Sequence, residues 1–145
     1  MFNILLPQFV QGQGAIGLLL FRLVLGIGFV LHSWPKLKHP TRWMEAEGTP
    51  PSIPAVQMMA AFTEFSSGLG FLLGLFTPLA CLGMLGTMIG AVVKVHLPQG
   101  HPFIGPPGTN TAENCVNYAA AASAVLLLGP GQYSLDRIWM GLFFK

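Results

Sequence analysis

The sequence predicts an all-α fold: an integral membrane, antiparallel four-helix bundle with a short interfacial helix near its C-terminal end. Three observations carry this reading. Hydrophobic residues make up 52% of the 145 residues and charged residues 8%, against about 25% charged in soluble domains. Four apolar runs, over about 14–33, 54–75, 77–97 and 113–129, approach the ~20 residues needed to cross a ~30 Å hydrocarbon core. Proline or glycine marks several of their boundaries, and backbone groups in lipid must be satisfied within the segment, so the runs are helices. A single domain over 1–145 fits the length.

The first run is interrupted only by Arg22. It has no basic n-region and no clear small-residue cleavage site, so it is read as a span and not as a signal peptide. Pro54 opens the second run, and Thr77-Pro78 reads as an N-cap followed by proline at the first helical position of the third. Almost no loop separates these two, which predicts a tight hairpin and places both longer connections, about 33–53 and 98–112, on the opposite side. Within the first connection, Thr41 to Gly48 reads as a short interfacial helix with Trp43 and Met44 dipping into lipid. Asn110 with Glu113 three residues later resembles a capping box for the fourth run. Gly129-Pro130-Gly131 stops that run, and Ser134 can cap a last segment whose aromatic end lies along the membrane surface.

Both chain ends are then expected on one side. Lys36, Lys38 and Arg42 on the loop side nearly balance Arg137 and Lys145 on the other, so charge gives no orientation. Small residues at four-residue spacing (Ser66, Gly70 and Gly74 on the second run, Gly86 and Gly90 on the third) and Ala119, Ala120, Ser123 and Ala124 on the fourth predict close helix packing.

The polar residues inside this apolar frame carry the functional argument. A formal net charge of +2 with no basic stripe excludes nucleic acid as a partner. Glu64 lies deep in an uncharged stretch, and an intramembrane ionisable group costs roughly 2.5–3.5 kcal/mol on insertion scales. Depths reckoned at 1.5 Å per residue put Arg22 and Glu64 about 4–7 Å apart, which predicts a buried Arg22–Glu64 ion pair. That pair either pins helix register or presents a proton-handling carboxylate.

A second cluster is expected at the loop-side mouth: His32, Trp34 and Lys36 end the first run, Lys94 and His96 the third, and Glu113, Asn117 and Tyr118 begin the fourth. Glu113 has a plain alternative as a capping residue, Lys94 as a snorkelling lysine and Trp34 as part of an aromatic belt. The histidines with Glu113 admit a metal, a haem or a quinone head group. No close ligand spacing supports a metal, and no metal site is expected. Candidate ligand-binding residues are therefore His32, Trp34, Lys36, His96, Glu113, Asn117 and Tyr118. Catalytic residues are unknown, with Glu64 and His96 as candidates. Cys81 and Cys115 fall near opposite faces of the bundle, beyond the 4.4–6.8 Å Cα spacing of a disulfide. No catalytic triad, P-loop or dinucleotide fingerprint is present.

Several stretches resemble DoxX-like membrane proteins, in order and over nearly the whole chain. They are Phe21-Arg22-Leu23-Val24-Leu25-Gly26 leading to Leu31-His32-Ser33-Trp34-Pro35-Lys36-Leu37; Glu64 followed by Gly68-Leu69-Gly70-Phe71-Leu72-Leu73-Gly74-Leu75-Phe76-Thr77; Val95-His96-Leu97-Pro98-Gln99-Gly100; and Leu128-Gly129-Pro130-Gly131-Gln132-Tyr133-Ser134-Leu135-Asp136. Ser33 stands where glycine is common in that family, and the loop from Lys38 to Ile53 is individual. The resemblance implies a four-helix integral membrane protein, named for a relative of a thiosulfate:quinone oxidoreductase subunit, some members of which associate with oxidative-stress enzymes. It highlights Arg22, His32, Lys36, Glu64, His96 and Glu113. The expected function is thus a quinone-linked or redox-associated subunit of a membrane complex, an oxidoreductase component if it is catalytic at all; the alternative is a non-catalytic subunit that recruits or stabilises a larger assembly. A small-molecule transporter is disfavoured by the lack of an internal repeat. No cofactor is evident from the residues themselves, and quinone is the one the reading leaves open. Expected partners are membrane lipid and other membrane or membrane-associated subunits, in a bacterial inner membrane or a thylakoid-type membrane.

Overall fold

A computed structural model describes residues 9–46, 48 and 52–143. Its elements in chain order are α1 (Gly12–Lys38), α2 (Trp43–Ala46), α3 (Pro54–Leu73), α4 (Thr77–Ala91) continued by a π-helical segment (Val92–His96), α5 (Glu113–Leu128) and α6 (Leu135–Phe143). The described residues form helices, turns and connecting segments without a strand, as an all-α fold requires. Two helices are long and apolar enough to cross a membrane, Gly12–Lys38 and Thr77–His96. The other two expected spans do not meet that standard on their own, for separate reasons. Gln57, Glu64 and Ser67 dilute the apolar character of α3, and α5 has 16 residues, about 24 Å at 1.5 Å per residue.

The long helices pack through one repeating stripe each. On α1 the buried residues are Ala15, Leu18, Arg22, Leu25, Gly26, Phe29, Ser33 and Lys36, and on α3 they are Gln57, Ala61, Glu64, Ser67, Gly68 and Phe71. Steps of three and four keep such residues on one helix face. The two stripes meet in antiparallel register, which Gly26 makes possible: a Cβ there would lie 2.6 Å from Leu72 Cγ and 2.8 Å from the Gly68 carbonyl oxygen. Close approach then continues from α3 to α4, where Gly70 faces Ala80 and Gly83 faces Thr63 and Ser67. Against expectation, Gly86 and Gly90 face open space and Ser66 is exposed, so the glycine pair on α4 takes no part in packing among the described residues. The helix α5 lies along α4, with its first turn beside the π segment, and Tyr118 sets its ring edge on Phe29 of α1 at 4.9 Å between centroids. The core shared by these helices includes Leu18, Leu25, Phe29, Phe71, Met84, Met88 and Val125.

Burial differs from that of a soluble protein in two ways. Arg22, Ser33, Lys36, Gln57, Glu64, Ser67 and Thr77 are buried, whereas Leu20, Val24, Leu31, Met59, Phe62, Leu79, Leu82, Ile89 and Leu127 are exposed. Polar groups inside and large apolar side chains outside are what lipid selects.

Proline 35 does not end α1. Its missing N–H removes one ladder bond, to the Leu31 carbonyl, but the helix continues to Lys38. Lys36 is therefore a helical residue aimed inward and not part of a loop. At the other side of the bundle, α3 ends on Gly74 in the left-handed conformation (φ 61°), and Phe76 takes a positive φ of 49°. The Thr77 hydroxyl does not cap α4. Asp136 from α6 does so across sequence: its carboxylate accepts the Phe76 N–H at 2.7 Å and the Thr77 N–H at 2.8 Å, while the Asp136 N–H donates to the Gly74 carbonyl at 2.8 Å. Ser134 caps α6 as expected, accepting the Arg137 N–H at 3.3 Å. The Asn110–Glu113 capping box does not form: α5 is entered through Ala112 in a helical conformation with no side-chain cap. Nor does α2 dip into lipid. Met44 is buried in the protein and Trp43 Nε1 donates to the Gln57 carbonyl at 2.9 Å, because the loop folds back over the start of α3.

Candidate functional site at the loop-side mouth

The site begins with Glu64. Its carboxylate accepts from Lys36 Nζ at 2.9 Å, with both side chains about 5–6% exposed. The expected Arg22–Glu64 pair is thereby replaced. The sequence argument ended the first helix before Pro35 and so misplaced Lys36. In the α1–α3 register, Arg22 lies level with Gly74, while Lys36 lies near the level of Glu64. A helical side chain points back toward its own N-terminus, which carries the ammonium one turn down into the bundle. Arg22 is spent elsewhere: its Nη2 donates to the Tyr133 carbonyl at 2.5 Å, packs its guanidinium against Gly74, and lies in the field of Asp136.

Above the ion pair sits a cover. The Trp43 ring lies 4.3 Å from Lys36 Nζ, a cation–π contact. Gln57 holds this cover in place through three bonds. It accepts the Met44 N–H on Oε1 at 3.1 Å, donates from Nε2 to the Ser52 carbonyl at 2.8 Å, and accepts Trp43 on its own carbonyl.

Beside the pair lies a second polar row. The π segment sets one extra residue per turn into the end of α4, and this turns His96 toward α5 while Lys94 stays exposed. His96 Nε2 lies 3.6 Å from Cys115 Sγ, and His96 Nδ1 lies 3.1 Å from His101 Nδ1. The turn Leu97–Gly100 brings His101 back, with its N–H donating to the His96 carbonyl at 3.0 Å. Lys36 and Glu64 act electrostatically on the Cys115 sulfur, so the row and the ion pair share one neighbourhood. His96 uses opposite ring nitrogens for its two neighbours. The three groups are a chain and do not converge on one ion, and no metal-holding group is found among the described residues.

The remaining candidates divide. Tyr118 is half-buried on Phe29, and Glu113 is half-buried in the first turn of α5. His32, Trp34 and Asn117 are exposed; Trp34 packs on Phe65 at 6.1 Å, and His32 has interactions of its own. Sequence reasoning missed Trp43, Gln57, His101 and Cys115 as members of the mouth. The one signal for His101 was its position just past the Pro98-Gln99-Gly100 turn. Cys115 was considered only for a disulfide, and both cysteines are free.

Outward apolar faces, two helices of spanning length and a charge pair enclosed between helices define an integral membrane protein of helical type. The family model DoxX matches residues 17–97, which include Arg22, Lys36, Glu64 and His96. The chain is similar to the uncharacterized membrane protein Rv3486 of Mycobacterium tuberculosis, 28% identical over 140 residues that cover 90% of this chain and 86% of that protein. It is also similar to the inner membrane protein YphA of Escherichia coli, 31% identical over 131 residues covering 83% and 88% of the two chains. The chain belongs to the DoxX family. No solved structure matches it.

Proposed function

We propose that this chain is a redox-associated subunit of a bacterial inner-membrane complex, and that its loop-side mouth takes a quinone head group. In this reading α1, α3, α4 with its π segment, and α5 all cross the membrane, with both chain ends on one side. The outward apolar residues of α3 support its place in lipid, since Val56, Met59, Phe62 and Leu73 point away from the bundle while Gln57 and Glu64 point in. The short α5 fits if neighbouring helices or a thinner bilayer accommodate it.

The observation that carries the proposal is the buried Lys36–Glu64 pair beneath Trp43, beside His96, His101 and Cys115. Ionisable groups kept inside a membrane bundle mark ion or proton handling more often than stability, because a buried pair gains little over apolar packing. A groove of about 190 Å³ between α4 and α5, lined by Met88, Val92, Cys115 and Ala119 among others, has room for one ring. A quinone, when bound, supplies two-electron chemistry coupled to protons. The chain's own part would be to seat the ring in this groove and to pass a proton along Lys36–Glu64 or the histidines.

Purification of the full chain from native membranes tests this. Quinone should be extracted with the protein, and His96→Ala should abolish turnover of the assembly while the bundle stays folded. A chain that carries no quinone yet co-purifies stoichiometrically with a larger assembly would replace this reading with that of a non-catalytic assembly subunit.

A further inference from the structure

The Cys115–His96–His101 row has the order of a nucleophile, a base and a group that orients the base. Hydrogen-bond roles along it are mutually constrained. If the Cys115 thiol donates to His96 Nε2, that nitrogen is the acceptor, so Nδ1 carries the ring proton and donates to His101 Nδ1. Both imidazoles and the thiol are then neutral, which suits a half-buried position where separated charge is costly. Cys115 also lines the apolar groove between α4 and α5 with Met88, Ile89, Val92 and Ala119. A molecule that enters this groove from lipid meets Cys115, whose thiol has the His96 base within reach.

We propose that Cys115 is a nucleophilic thiol, with His96 as its general base and His101 as the positioning residue, that adds to small lipophilic activated alkenes (α,β-unsaturated carbonyl compounds, including quinone rings). In the reaction the S–H bond breaks as the S–C bond forms at the β-carbon. The thiol proton passes to His96 Nε2 and then to the substrate's enolate. On a quinone ring the added electron pair stays in the ring as the hydroquinone thioether, so no outside oxidant or reductant is needed. The titratable neighbours are His101 from the connection after the π segment, Lys36 from α1 and Glu64 from α3, and the last two offset each other as an ion pair. This site shares its groove with the quinone reading but does not rest on it: thiol labelling needs no bound quinone, and quinone binding can be scored separately in Cys115→Ala.

The test is N-phenylmaleimide labelling of the full chain in lipid nanodiscs, followed by peptide mass mapping across pH 5.5–9. Cys81, fully buried in the core, is the internal control. Cys115 should label first, with a rate that is flat near neutral pH and falls as His96 becomes protonated. In His96→Gln the rate at pH 7 should fall about 10²-fold, in the range general-base catalysis supplies. It should then climb about tenfold per pH unit, as for an unassisted thiol. His101→Gln should slow labelling less than His96→Gln and shift the acid limb of the profile. Equal rates in wild type and His96→Gln, a wild-type profile that climbs like a free thiol, or labelling of Cys81 at the same rate would each overturn the assignment; the wild-type profile decides even if a variant misfolds.

Discussion

Glu64 is the residue on which the site turns, and its partner decides how it behaves. Removing one member of a buried pair leaves an uncompensated charge and costs about 3–5 kcal/mol, whereas replacing both with apolar residues is often neutral. Lys36→Met and Glu64→Leu should therefore each destabilise the bundle by about that amount in SDS titration, and the double variant should recover most of the loss. Additive losses would mean that the two side chains do not meet. That Glu64 needed a buried cation was legible in the sequence, because no other charge lies within its apolar run. Which cation was not legible, because the answer depends on Pro35. A proline normally marks a helix end, and only the continued helix to Lys38 shows that this one does not. At Gly26 the sequence offers only one glycine among many, and its need for close approach appears once Leu72 and the Gly68 carbonyl are seen against it. Gly26→Leu should separate α1 from α3 and destabilise the bundle by more than 1–3 kcal/mol, the usual range for overpacking, measured by the same titration.

At the scale of elements, the ends of helices were the least legible features. Pro54 and Ser134 begin α3 and α6 as their residue types suggest. Thr77 and Asn110 do not cap, because tertiary partners supply what local side chains would have: Asp136 caps α4 from about sixty residues away, and the Ala112 N–H is tied to the Pro102 carbonyl at 3.1 Å. No local pattern can announce such a cap. Asp136→Ala removes two charge-assisted bonds to backbone N–H groups and leaves Arg22 without its nearby carboxylate, so it should cost at least about 2 kcal/mol. Asp136→Asn, which keeps one acceptor, should cost less. Equal losses would show that the acceptor is not what matters. The π segment is the other feature hidden from pattern reading. An ideal helix puts Lys94 and His96 roughly 200° apart, which signals that both cannot face inward, and the wider turn selects His96.

For the whole molecule, composition was enough to give the all-α membrane class, and the outward apolar faces with inward polar stripes agree with it. The count of spans is a different matter. Hydropathy and length single out Gly12–Lys38 and Thr77–His96, and α3 falls short because its inner face carries Gln57, Glu64 and Ser67. A hydropathy reading therefore under-reports a helix whose polar residues face inward. The central claim is that the mouth formed by these helices binds quinone through its buried charges. Its most direct test compares the quinone extracted from nanodisc preparations of wild type and of the Lys36→Met/Glu64→Leu double variant, which should keep the bundle but lack the charges. The account predicts quinone bound stoichiometrically to the wild type and absent from the double variant; none in the wild type, or equal amounts in both, would contradict it.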